Sequence, residues 1–432
     1  MNIVINKEEA LGKIKPLHGI SNGPLSSGGS CNTSKEYLEM GIPFVRLHDT
    51  DSPYPQQVDV YQIFRDFDKD PYDEKNYDFL LTDQFLKAID GVGAKIIYRL
   101  GTSIDLMPIK RYTEPPKDNK KFAIVCEHII RHYTEGWANG YEFDIPYWEI
   151  WNEPEDLDGT CTVMWGGTKE QFFELYRVVS CHLREQFGDK IKIGGYAAVS
   201  LQGIKPDASW ASNWYLNYFN DFLAFVKANG CPLDFFSYHQ YGMDMKFVRD
   251  AANYARRRLN EEGFEDAEII IDEWNASAST RELYWIGTIR GARHVLSMMM
   301  AYQDSPVDIA TYYDGQPHMI HCGVFDKFRR VQKPFYSFVL FNKLYRLGTQ
   351  IKVTCDDGGL TEALAAKGEN GKMGLLVVTS MQDPYVTVSG FDKKPTAYIL
   401  SDDKNLEKIS VKYENAIASI VYPTGTVLYF EE

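Results

Sequence analysis

The chain has 432 residues, 44% of them hydrophobic, enough for one large domain plus a small one around a real core. Its net charge of −14, from 46 basic and 60 acidic residues, leaves no basic patch and argues against nucleic acid or an anionic membrane as partner. Seven irregularly spaced cysteines without a CxxC pair indicate neither a disulfide framework nor structural zinc, and no apolar stretch is long enough to span a membrane.

Met1 to Ala10 shows no basic segment followed by an apolar run, so no secretory signal is read and a cytoplasmic location is expected; a leader already removed would leave the same start. From there, short apolar runs alternate with longer amphipathic segments. Strands are predicted at 14–19, 43–48, 94–100, 146–153, 190–195, 233–241, 267–274 and 308–314. Helices are predicted at 33–40, 76–90, 121–135, 168–187, 212–229, 245–261, 280–302 and 334–346. Phe79, Leu80, Phe85, Leu86 and Ile89 recur at helical spacing, as do Phe172, Phe173, Tyr176 and Val179. Eight strand–helix pairs in sequence imply an α/β fold, a closed parallel (β/α)8 TIM barrel spanning 13–346. An open doubly wound sheet would carry a phosphate loop after its first strand, and neither GxGxxG nor GxxxxGK[ST] occurs. Ser26-Ser27-Gly28-Gly29 lacks that pattern and reads as a flexible loop.

After residue 346 the texture changes. Short strand-like runs at Ile351–Thr354, Met373–Thr379, Tyr385–Ser389, Thr396–Leu400, Ile409–Tyr413, Ala416–Tyr422 and Thr426–Phe430 alternate with polar turns such as Asp356-Asp357-Gly358-Gly359. They predict a smaller antiparallel β-sandwich of 347–432, to which residues 1–12 add a strand.

Chemistry concentrates at two strand ends. Trp148-Glu149-Ile150-Trp151-Asn152-Glu153-Pro154 is a hydrophobic strand stopped by an Asn-Glu pair and a proline. Ala267-Glu268-Ile269-Ile270-Ile271-Asp272-Glu273-Trp274-Asn275 ends likewise in a glutamate. In a barrel of this kind, active sites lie at the C-terminal ends of the strands. Glu153 and Glu273 are therefore the candidate catalytic pair of a glycoside hydrolase: one carboxyl protonates the departing oxygen and the other meets the positive charge at the anomeric carbon. Glu153 is assigned as general acid/base, its pKa raised by aromatic walls, and Glu273 as nucleophile. Strict alternation places Glu149, Trp151 and Glu153 on one face, and Ile269, Ile271 and Glu273 on the inward face of the second strand. It turns Asp272 away towards the helices. Glu149 is expected to point into the barrel against Arg46 or Arg99, and Glu155 to be solvated.

The other strand ends supply substrate contacts. Arg46 is expected to hold Glu273 ionised by a bidentate contact, and Tyr241 to donate a hydrogen bond to it. Asn152 is expected to bind the sugar 2-hydroxyl, and His48 and His239 further hydroxyls. Trp274, Tyr313 and Asp49 complete the substrate-binding set. His48, Asp49 and Asp51 cluster, yet without HExxH no metal site is assigned; GxSxG is absent too. No cofactor is called.

Trp148–Pro154 and Asp272–Asn275 resemble the acid/base and nucleophile motifs of the clan of (β/α)8 retaining glycosidases. Together with Tyr77–Gly101, Pro115-Pro116-Lys117-Asp118, Asp234–Tyr241, and Gly323-Val324-Phe325 followed by Lys333-Pro334, their order resembles glycoside hydrolase family 39, the β-xylosidases and α-L-iduronidases. The resemblance spans about residues 14–346. It implies net retention, a barrel carrying a β-sandwich, and removal of a terminal sugar. Three features depart from the family: Asp49 stands where glycine usually follows the histidine of strand two; Tyr312-Tyr313-Asp314 replaces a usual tryptophan; and the loop Asp156–Gly167, with Cys161 and Trp165, is longer. Asp49, Asp51 and Asp314 disfavour an acidic sugar. The expected partner is a glycoside or oligosaccharide with a neutral terminal sugar, a β-xyloside first, and a homo-oligomer stays open. An endo-acting glycanase and a non-catalytic carbohydrate-binding barrel are the alternatives.

Overall fold

The alternation of apolar runs and amphipathic segments produces eight strand–helix units. The computed structural model describes residues 1–51, 56–155, 163–279 and 283–432. Eight parallel strands close in chain order: Gly19–Ser21, Phe44–Leu47, Lys95–Leu100, Tyr147–Ile150, Lys192–Ala198, Phe235–Tyr241, Glu268–Asn275 and Ile309–Tyr312. Around them stand the helices Ser34–Met40, Leu80–Asp90, Asn119–Thr134, Lys169–Phe187, Trp210–Ala228, Met245–Glu262, Ile289–Gln303 and Lys333–Leu347. Local chemistry fixes many helix ends. Thr168 and Gln171 form a reciprocal capping box, Asp118 and Asp244 cap their helices, and Gly41 and Gly263 end theirs in the left-handed conformation.

Two predicted elements shift. The first strand is Gly19–Ser21 rather than 14–19: Pro16 has no N–H for the ladder, and the stretch before Gly19 runs as coil that buries Ile14 and Leu17. The helix expected at 280–302 is Ile289–Gln303. Residues 280–282 lie outside the described residues, and Leu283–Thr288 forms turns.

The lumen is filled in layers. Phe44, Ile97, Tyr147, Phe235, Ile270 and Ile309 form an apolar cluster towards the strand N-termini. Two residues further along each strand, the alternation brings Arg46, Arg99, Glu149, Ser237, Asp272 and Thr311 inward, all fully buried. The residues beyond them form the floor of the site.

The second sheet has ten strands and is antiparallel except where Asn2–Val4 pairs in parallel with Thr387–Ser389. Its long N-terminal strand, Asn2–Lys13, also pairs antiparallel with Thr349–Cys355. The sheet curls around a core that includes Ile3, Ile5, Leu375, Val377, Leu428 and Phe430. Alternate residues Leu364, Ala366, Leu376, Val378, Val427 and Tyr429 join the core of the barrel instead. One sheet face thus closes the sandwich and the other packs on the helices Ile289–Gln303 and Lys333–Leu347. The run predicted at Ile409–Tyr413 is broken at Ser410-Val411, so that Ile409 ends the strand Asn405–Ile409 and Lys412 begins the strand Lys412–Glu414. Among the described residues no helix is long and apolar enough to cross a membrane.

Candidate active site

The two glutamates converge. Acceptor atoms of Glu153, His239 and Glu273 all lie within 4.8 Å of one another. Glu153 follows the fourth strand, where the backbone leaves regular geometry: Trp151 has φ 73° and Glu153 φ 46°, both left-handed. Such backbone costs roughly 1–3 kcal/mol per residue and persists only where the surroundings hold it. Here the amide of Glu153 donates to the carbonyl of Ala197 (3.1 Å), and that of Trp151 to Leu100 (3.0 Å).

Glu273 reaches the lumen by a different device. Against the neighbouring strand, Ile271 pairs with Tyr238 and Glu273 with His239, so Asp272 is an extra residue in a β-bulge. The bulge corrects two expectations. The inward residues are Ile270 and then both Asp272 and Glu273, while Ile269 and Ile271 join the outer core. Asp272 does not turn towards the helices. Trp274 does: it packs on Tyr302, Tyr312 and His294, fully buried, and is no substrate contact. Trp148, Trp151 and Trp165 likewise pack outside the barrel, on Tyr98, Phe122 and Phe172. Among the described residues the side chains that meet Glu153 are His239 and Glu273, not the aromatic walls expected.

Arg46 is the hub beneath the pair. Its Nε and Nη2 donate to Glu149 Oε2 (2.9 and 2.7 Å) and its Nη2 to Asn152 Oδ1 (2.6 Å). Nη2 also lies 2.9 Å from Asp272 Oδ2, while Nη1 reaches Glu273 Oε2 at 3.4 Å. The fork therefore closes on Glu149, and Glu273 receives one long contact rather than a bidentate one. Arg99 pairs with Asp59 (2.6 Å) instead.

The remaining contacts follow the strand tips. Tyr241 donates to Glu273 Oε1, as expected. His239 is not free for sugar hydroxyls: Nδ1 lies 2.6 Å from Glu153 Oε1, and Nε2 faces Asp272 (3.5 Å) and Glu273 (3.7 Å). Burial disfavours its charged form, but the carboxylates Glu273, Asp272 and Glu153 outweigh that and hold His239 well above the usual imidazole range. Burial pushes the Glu273 carboxyl up and Glu153 adds to this, while His239, Arg46 and Tyr241 pull it down. Among the described residues the Asn152 amide nitrogen and His48 Nδ1 are buried without a hydrogen-bond partner, so both can meet substrate hydroxyls. Burial, with Arg46 and Arg99 nearby, keeps His48 neutral.

Asp49 (φ 53°) accepts from the Ile104 amide (2.8 Å) and the Tyr313 hydroxyl (3.2 Å), and burial pushes its carboxyl up to about 7. Asp314 accepts from Asn22 and sits at about 8, again raised by burial. Asp51 takes the amides of Ser27 (2.6 Å) and Gly28 (2.8 Å), so the glycine-rich loop is tied down and its donors are spent. Glu155 is buried, not solvated. It accepts from the Val199 amide, and burial raises its carboxyl well above the usual range. Residues 156–162 of the loop expected to be long, Cys161 among them, lie outside the described residues.

Asp272 and the bridging place of His239 escaped sequence reading. The signal for Asp272 was present: two acids in a row after three isoleucines demand a buried cationic partner. Two carboxyl groups this close, one half-buried and one almost enclosed, can share the work of protonating a leaving oxygen and meeting an anomeric carbon.

Comparison with known proteins places the chain among glycosidases. The chain is 23% identical to a β-xylosidase of Caldicellulosiruptor saccharolyticus over an aligned length of 456, covering 95% of this chain and 84% of that protein. Its fold matches a glucosidase from Croceicoccus marinus (TM-score 0.80, 20% identity, 100% and 98% of the two chains covered). It also matches a family 39 β-xylosidase from Caulobacter crescentus (TM-score 0.72, 16% identity, 100% and 99% covered). Residues 31–324, more than half of the sequence, match the model of glycosyl hydrolases family 39, and the chain belongs to that family.

Proposed function

We propose that this family 39 glycosidase is a retaining exo-enzyme that releases a terminal neutral sugar, a β-xyloside first, with Glu273 as nucleophile and Glu153 as acid/base. The observation that carries the reading is the approach of the two carboxyl groups to within 4.8 Å, nearer the separation of about 5–5.5 Å of retaining enzymes than the about 6.5–9.5 Å that admits a water. In the first step Glu273 forms a bond to the anomeric carbon as the glycosidic C–O bond breaks, and Glu153 gives its proton to the departing oxygen. In the second, Glu153 takes a proton from water, whose oxygen replaces Glu273 at the same carbon. Tyr241 and Arg46 hold the attacking oxygens. The unpartnered Asn152 amide is placed for the 2-hydroxyl, and His48 for a further one.

The near-complete enclosure of Glu273, whose side chain is 9% exposed, favours a pocket that takes one chain end over an open cleft. Similarity to the Caldicellulosiruptor saccharolyticus β-xylosidase favours xylose. A panel of aryl β-glycosides tests this. Xyloside turnover that falls about 10³-fold or more in Glu273→Gln is expected; no turnover of any sugar, or an unaffected Glu273→Gln, would overturn it.

A further inference from the structure

Below the two glutamates lies a second pair of carboxyl groups. Glu149 and Asp272, on strands four and seven, are fully buried. Both present an oxygen to one nitrogen of Arg46, Glu149 Oε2 at 2.7 Å and Asp272 Oδ2 at 2.9 Å. Glu149 Oε2 takes two of the guanidinium's donors, from Nε and Nη2; among the described residues its Oε1 is buried without a well-aligned hydrogen bond, and so are both oxygens of Asp272. The facing groups are Arg46 and the Ser237 hydroxyl, His239 from strand six, and Glu273 and Glu153 above. Two adjacent carboxylates this deep repel each other, and the cations facing them, Arg46 and His239, are shared with Glu273 and Glu153, so full ionisation of both is disfavoured.

We propose that Glu149 and Asp272 hold one proton between them, so that the pair carries a single negative charge and acts, through Arg46 and His239, as a positioning element for Glu273 and Glu153. The proton sits on Glu149 Oε1 and is donated to Asp272, which satisfies the otherwise orphaned oxygens on both sides. The directions of the two ionisations agree: burial raises Glu149 to about 7, while Asp272 is lowered, burial being outweighed by Arg46 and His239. With one proton in the pair, Arg46 and a charged His239 are balanced by Asp272 and Glu273. The inference rests on the assignment of Glu273 and Glu153 made above.

The pattern of amide substitutions distinguishes a shared proton from two full charges. In Glu149→Gln the amide replaces the protonated oxygen; in Asp272→Asn the remaining glutamate ionises. Either way one negative charge stays. Each single variant is expected to move the limbs of the kcat/KM pH profile by no more than a few tenths of a unit. The double variant removes the charge beside Glu273 and moves the whole bell to lower pH by about one unit or more. Infrared spectra near neutral pH give a readout independent of turnover. A protonated-carboxyl band of the wild-type protein is expected to disappear in each single variant, with the band itself shifting in D2O. Single shifts that sum to the double shift, or a protonated-carboxyl band unchanged in both single variants, would overturn the pair. Failure of the glycosidase reading would show separately, as absent turnover in the wild-type protein while the infrared band persists.

Discussion

Asp314 lies just past the end of the eighth strand, where Asn22 donates to its Oδ2 at 2.7 Å and solvent does not reach. Its carboxyl stays protonated up to about 8 in the fold, against 3.8 for an ordinary aspartic acid. Between those values the native state binds more protons than the unfolded chain, so stability falls as pH rises through that window. Thermal unfolding in Asp314→Asn should lose part of this downward slope between pH 5 and 8; a slope identical to wild type would contradict the burial argument. Glu153 invites a different test. If it supplies the leaving-group proton, Glu153→Ala should lose about 10²–10⁴-fold on alkyl glycosides, whose departing oxygen needs protonation. It should lose far less in the first step on dinitrophenyl glycosides, whose leaving group departs as an anion. Equal losses on both would remove Glu153 from the role.

At the scale of elements, the seventh strand shows both how far the sequence can be read and where reading stops. Its apolar run and terminal glutamate are plain in the sequence. The bulge at Asp272 is not, because it depends on the register with the sixth strand, and it turns Asp272 to the face opposite to the one alternation predicts. The fourth strand fails in the same way at Trp151, where left-handed backbone sends the indole to Phe122 and Trp165. Arg46, Glu149 and Tyr241 were legible because they lie on regular stretches where period two holds. In the ten-stranded sheet, Glu362–Lys367 escaped notice: Glu-Ala-Leu-Ala-Ala-Lys has the composition of a helix, and only pairing with Thr349–Cys355 and Met373–Val378 makes it a strand. The next strand carries a packing prediction. Leu375 faces the sandwich core and Leu376 the barrel helices, both without solvent exposure. Leu376→Ala should cost about 2–5 kcal/mol of stability while leaving KM unchanged. A cost below about 1 kcal/mol by denaturant titration would mean that the sheet only rests on the barrel.

On the scale of the whole molecule, barrel and sheet share one apolar core: Leu364, Ala366, Leu376, Val378, Leu400, Val427 and Tyr429 join the cluster that runs through the helices. Ion pairs and hydrogen bonds reinforce the junction, Lys343 with Glu431 (2.8 Å) and Arg293 with the Thr379 carbonyl (2.9 Å). All 8 tryptophans lie in the barrel sequence, between Trp137 and Trp285, so their fluorescence reports that part alone. Coincident unfolding by tryptophan fluorescence and by far-ultraviolet circular dichroism is expected; two separated transitions would show independent domains. The barrel exists, functionally, to bring two distant strand ends together over a charged floor. Covalent trapping tests that most directly. Treatment with a 2-deoxy-2-fluoro-β-xyloside bearing a good leaving group, followed by peptide mapping, should place one sugar on Glu273. A label on Glu153, Glu149 or Asp272, or turnover of the xyloside with inversion at the anomeric carbon and no adduct, would contradict the account.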